Sequence, residues 1–74
     1  MDNDRLVKMC NQIGAFFESM PDRQKGAESM AAHLKNFWAP AMRQQLLAHW
    51  EQGEAEELSP FAAQTLREYR QILQ

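Results

Sequence analysis

Nucleophile and ligand chemistry in this chain would have to start from Cys10, His33 and His49, the cysteine and the two histidines it contains. The histidines fall on different predicted helices and could meet in a bundle. Two imidazoles still lack the third or fourth ligand that a zinc site takes, and no Glu-x-x-His pair of the di-iron type is present. Each reads instead as a cap on a carbonyl or a residue at a helix boundary. Cys10 lies on an apolar stripe, and neither Arg5 nor Lys8 faces it at i+4. A free cysteine so placed reads as a small buried hydrophobe; an activated thiolate needs an electropositive setting. A single thiol also excludes a disulfide and a zinc site built from cysteines. The glutamates of Glu54-Ala55-Glu56-Glu57 are neighbours in one environment, whereas an acid/base pair needs two different ones. They read as a solvated loop. There is no G-x-S-x-G elbow, phosphate-cradling glycine loop or H-E-x-x-H.

Large rings carry more information. Phe16-Phe17, Phe37-Trp38 and Trp50 place five of them in three short segments. Adjacent helical residues point about 100° apart, so a small domain does not easily hide both members of a pair. Either one ring enters the core while the other drapes over a neighbouring helix, or the rings form an apolar patch for a partner protein. Phe37, Trp38, Met42 and Arg43 have the composition of such an interface. Phe17 and Trp50 join them as candidate partner-binding residues. Asn11, Gln12 and His33 are the polar candidates, able to bond a partner's backbone. For Asn11 and His33 a bond within the chain is an equal alternative.

The elements that position these residues are helices. Ala, Gln, Glu, Leu, Met and Arg dominate, and the β-branched residues are Val7, Ile13, Thr65 and Ile72 alone. That balance favours helix and disfavours sheet. A first helix over about 3–19 carries Leu6, Ile13 and Met20, Met9 and Phe16, and Cys10 and Phe17 in rows seven apart, with Asp2 or Asn3 to cap it. A second, over about 22–38, repeats the pattern, with Gly26 weakening its first turn, so that it could start closer to Ala27. Ala39-Pro40 breaks the chain and opens a third helix over about 40–52, with Gly53 as its C-terminal cap. Ser59-Pro60, a capping hydroxyl before proline, starts a fourth over about 60–73. The expected fold is all-α: a single small four-helix domain spanning 1–74.

Charge and hydropathy narrow the function classes. Eight Lys and Arg against ten Asp and Glu give a net charge of −2. The basic residues are dispersed among acids, which argues against a nucleic-acid surface. No apolar run approaches the roughly 18 residues of a membrane span. The N-terminal Met-Asp-Asn-Asp-Arg is unlike a signal or transit peptide, so the expected location is cytoplasmic.

Two stretches resemble a known family. Leu6-Val7-Lys8-Met9-Cys10-Asn11-Gln12-Ile13-Gly14-Ala15-Phe16-Phe17 is similar to the opening of the delta subunit of the cytosolic, molybdenum-containing, NAD-dependent formate dehydrogenase. His33-Leu34-Lys35-Asn36-Phe37-Trp38-Ala39-Pro40-Ala41-Met42-Arg43 resembles that family's His-Ile/Leu-Arg/Lys-x-Phe-Trp-x-Pro-x-Met-Arg signature, and Leu58-Ser59-Pro60 also matches. Ala39 departs from it, since the family usually carries Asp there, where it would cap the helix beginning at Pro40. The resemblance implies a noncatalytic accessory subunit that supports assembly, cofactor maturation or stability of the complex. It implies no cofactor in this chain. Molybdopterin guanine dinucleotide, Fe–S clusters, FMN and NAD are expected in partner subunits, and the molybdenum-bearing alpha subunit is the expected contact. The alternative is a free-standing helical interaction module or homodimer unrelated to formate oxidation.

Overall fold

The computed structural model describes residues 2–74. Its helices are α1 (Asn3–Glu18), α2 (Arg23–Phe37), α3 (Pro40–Glu51), α4 (Pro60–Glu68) and α5 (Arg70–Leu73), with no strand among the described residues. α1 packs on α2, α3 and α4, and α2 also packs on α4 and α5. The all-α expectation holds.

Local sequence explains the boundaries. The Asp2 carboxylate accepts from the Asp4 N–H at 3.0 Å and caps α1. Asp22 caps α2 by accepting from the N–H groups of Gln24 (3.0 Å) and Lys25 (3.2 Å). α2 therefore begins at Arg23, with Gly26 inside it, and not near Ala27. Gly26 is there because the helices nearly touch: a Cβ added to it would lie 2.5 Å from the Phe17 carbonyl oxygen of α1. α3 starts at Pro40 without a side-chain cap, since Ala39 has no oxygen to offer. It ends in a Schellman turn, where Gly53, at φ +77°, donates to the Trp50 carbonyl and Glu54 to that of His49. The Ser59 hydroxyl accepts from the Ala62 N–H at 3.1 Å and caps α4.

Two expectations change. The fourth helix does not run unbroken to residue 73. It breaks at Tyr69 (φ −116°, ψ 23°), whose phenol oxygen accepts from the Gln24 amide of α2 at 2.8 Å. The break turns Leu73 into the core and leaves Ile72 exposed, so the two do not share one face. An ion pair between Arg70 and Glu51 ties α5 to α3. The loop after α3 is not simply solvated either. Ala55 and Leu58 point inward, while Glu54, Glu56 and Glu57 remain exposed.

The core is built from Leu6, Val7 and Cys10 of α1, Ala27, Met30, Ala31 and Leu34 of α2, Leu46 and Leu47 of α3, Phe61, Ala62 and Leu66 of α4, and Leu73. Thr65 is fully buried and donates its hydroxyl to the Phe61 carbonyl one turn back. Phe61 is the largest sealed side chain, and the Arg23 guanidinium lies 5.2 Å from its ring centre.

Candidate functional site

The inward row of α1 is Leu6, Cys10 and Gly14, four residues apart. Phe17, three residues beyond Gly14, falls on the flank of that row. Phe16, two beyond it and about 200° round, falls outside. The same counting on α2 sends Trp38 inward, four residues after Leu34, and puts Phe37 on a side row with His33. The structure follows this geometry. Trp38 is 6% exposed and Phe37 is 75% exposed; Phe17 is half-buried and Phe16 is 69% exposed.

Phe16, Phe17, His33 and Phe37 form one aromatic strip across α1 and α2. Phe16 meets Phe17 edge-on, with ring centres 5.1 Å apart and planes at 87°. Phe17 reaches His33 on the neighbouring helix at 5.7 Å, and His33 lies 4.9 Å from Phe37 one turn along. Edge-on and tilted pairs at these separations are favourable for aromatic rings. Beside the strip is an open groove of about 310 Å³ lined by Gln12, Ile13, Phe16, Phe17 and His33. None of those residues carries a carboxylate, ammonium or guanidinium group.

The residues singled out from sequence separate into three groups. Phe17, His33 and Phe37 come together in the strip, and Gln12 lies on the groove wall. Met42 and Trp50 are half-buried against the core and join none of the strip's ring contacts. Trp38, Arg43 and Asn11 serve the chain's own architecture: Trp38 and Arg43 are buried and not outward-facing as a partner surface requires, and Asn11 makes the within-chain bond that was its alternative. Trp38 fills the core at the end of α2. Arg43 is 7% exposed, because its guanidinium turns back to the carbonyls of Lys35 (2.6 Å) and Trp38 (3.4 Å). These are orphan acceptors at a helix C-terminus, where a cation is also favoured by the helix dipole. Asn11 bridges to the loop before α4. Its amide donates to the Glu57 carbonyl at 2.7 Å, and its carbonyl accepts from the Ser59 N–H at 2.8 Å.

Phe16 and Ile13 lie outside the set of partner-binding candidates that the sequence singles out. The signal for them is the Leu6-Cys10-Gly14 spacing, which fixes the direction of each following ring. It becomes readable only once Gly14 is recognised as a core position, and a residue without a side chain does not announce that.

The groups that could do chemistry are dispersed. Among the described residues, no set of three or more His, Cys, Asp and Glu side chains is placed to hold a metal ion. The Cys10 thiol is fully buried, and desolvation pushes its pKa up from 9.0 to about 12. A thiol held protonated in apolar surroundings is a poor nucleophile at neutral pH. His33 is part of the aromatic strip, and His49 lies at the end of α3. No described helix is long and apolar enough to cross a membrane.

Comparison with curated proteins and with solved structures returns no match. A family model does match, over residues 5–66, and its description is NADH-dependent formate dehydrogenase delta subunit FdsD. That span includes all four rings of the strip, the Asn11 bridge and the Trp38–Arg43 corner, and it stops short of α5. With 62 of 74 residues accounted for, this helical chain belongs to the family of the formate dehydrogenase delta subunit, FdsD.

Proposed function

We propose that this chain is a noncatalytic accessory subunit that docks through the strip Phe16, Phe17, His33 and Phe37 onto another subunit of a cytoplasmic formate dehydrogenase. The exposed strip is the observation that carries the proposal. Phe16 and Phe37 stand 69% and 75% open on a domain that buries its other phenylalanines wholly or in part. Fully burying one such ring is worth about 1.5–3 kcal/mol, and aromatic anchors in desolvated pockets dominate many interfaces. The groove walls carry no carboxylate, ammonium or guanidinium group, so an apolar partner surface can close over them without burying one of those. A partner presenting an unpaired Lys or Asp there would bury it against rings.

Docking of this kind stabilises the assembled enzyme by mass action, because the subunit binds the folded partner and not the unfolded one. The proposed contact is the molybdenum-bearing alpha subunit, and the supported step is assembly, cofactor maturation or stability of the complex. The molybdopterin guanine dinucleotide, Fe–S clusters, FMN and NAD belong to the partner subunits in this proposal. An Fe–S cluster takes about four cysteines, and the single thiol here lies inside the core.

The test is co-purification of the tagged chain with the dehydrogenase from its native host, with molybdenum quantified in the complex. The Phe16→Ser, Phe37→Ser double variant should keep its helical circular dichroism, lose the partner subunits and leave less active, molybdenum-loaded enzyme. Full assembly with that variant, or without the chain altogether, defeats the proposal. A second copy of the chain could cover the same rings. Sedimentation of the isolated protein separates that occupant from the heteromeric one.

A further inference from the structure

Among the described residues, Arg43 is the charged side chain that is buried, and neither ion pair found among them involves it. One of its terminal nitrogens spans the carbonyls of Lys35 and Trp38, and its Nε is enclosed with no partner at all. This is a costly way to fill an interior, since buried charges are often replaceable by apolar side chains without loss of stability. What the guanidinium holds is specific. Lys35 and Trp38 bracket Phe37, the most exposed ring of the strip, at the last residue of α2. A helix end left with unpaired carbonyls frays readily, and a frayed last turn would carry Phe37 away from His33.

We propose that Arg43 is a positioning residue for the docking face: by bonding the carbonyls on either side of Phe37, it locks the end of α2 so that this ring is presented in one place in advance of any partner. Trp38 supplies the other half of the lock. Its side chain is sealed in the core, and its N–H is bonded to the Leu34 carbonyl at 3.0 Å. Phe37 then projects from a corner fixed on both sides and by Pro40 beyond it. An anchor ordered in advance binds more tightly because less freedom is lost on association. The proposal rests on the docking reading above and adds to it where the rigidity of the anchor comes from.

The experiment is a titration of the full chain against the partner subunits of the complex, using Arg43→Lys and Arg43→Gln in both the wild-type and Phe37→Ala backgrounds. Lysine keeps the charge without the planar fork, and glutamine keeps one amide donor without the charge. Conditions are chosen where circular dichroism shows each variant folded. Both Arg43 variants should bind at least tenfold more weakly than wild type, with faster amide exchange at Phe37 and Trp38. In the Phe37→Ala background the same substitutions should change affinity by less than twofold. Wild-type affinity in a folded Arg43 variant, or a full loss that persists without the Phe37 ring, overturns the positioning role while leaving the docking face intact. Unchanged affinity in Phe37→Ala alone overturns both. If neither Arg43 variant folds, amide exchange in the wild-type chain decides. Trp38 exchanging as slowly as the middle of α2 supports the lock, and Trp38 exchanging much faster overturns it.

Discussion

Replacing Gly26 by alanine should weaken the fold, although helix propensity alone predicts the reverse. Alanine in a helix interior is better than glycine by about 0.8–1.0 kcal/mol, so on an open helix the substitution would stabilise. Here the new Cβ would sit 2.5 Å from the Phe17 carbonyl oxygen, whereas real Cβ contacts stay beyond 3.0 Å. The obstacle is backbone, not a side chain that can swing aside, so α1 and α2 must part by at least half an ångström. A gap of ~0.5–1 Å forfeits a quarter to a half of the dispersion energy of the atoms facing it, and overpacking of this kind costs about 1–3 kcal/mol. Net of the propensity gain, destabilisation of up to about 2 kcal/mol is expected, with a fall in melting temperature of about 4–8 °C per kcal/mol in a domain this small. Gly14→Ala is the control. Its Cβ would meet Met30 Cε at 3.5 Å, Met30 Sδ at 3.6 Å and Ala62 Cβ at 3.7 Å, all ordinary contacts. There the propensity term wins, and stability should rise by about 0.5–1 kcal/mol. Urea unfolding followed by circular dichroism reads both. Opposite signs are required; a stabilised Gly26→Ala protein would show that close approach of the backbones does not limit this crossing.

Further expectations concern caps, the thiol and the loop bridge. Ala39→Asp should add about 0.5–1 kcal/mol, because a carboxylate at that position can accept from the Ala41 N–H at the start of α3, whose following N–H groups, those of Met42 and Arg43, already donate to the Ala39 carbonyl; a thermal melt checks it. Cys10 should resist an aromatic disulfide reagent in the native state at pH 8 and react fully in denaturant, since burial keeps it protonated. The same burial makes stability depend on alkaline pH. The unfolded thiol ionises at about 9 and the folded one at about 12, so the unfolded state binds fewer protons in that window. Stability is therefore unaffected by Cys10 below pH 9 and falls by up to ~1.4 kcal/mol per pH unit above it. Cys10→Ala should remove this component of the slope in urea titrations at pH 8 and pH 10. Asn11→Asp should destabilise by about 2–3 kcal/mol, because it replaces the donor facing the Glu57 carbonyl with an acceptor. Faster amide exchange at Ser59 would accompany the loss.

Much of the architecture is legible in the order of the residues alone. Asp2, Pro40, Gly53, Ser59 and Pro60 each act through local chemistry, a side-chain oxygen, a fixed φ or a permitted positive one, so they mark helix ends from sequence. The seven-residue apolar rows likewise settle that the chain is helical. Position relative to other helices is a different matter, and only the tertiary structure decided it. Which ring of Phe16-Phe17 and of Phe37-Trp38 faces out depends on the direction of the core. Gly26 is read as a weak spot until α1 is seen against it. Asn11 and Arg43 have the composition of interface residues, yet each satisfies backbone groups that another segment brings to it. The break at Tyr69 follows from the Gln24 bond and from burying Leu73, contacts between residues 45 or more positions apart or on different helices. Local geometry is set by each residue and its neighbours along the chain, whereas facing, closeness and polar satisfaction are properties of pairs, and those pairs exist only after the helices have packed.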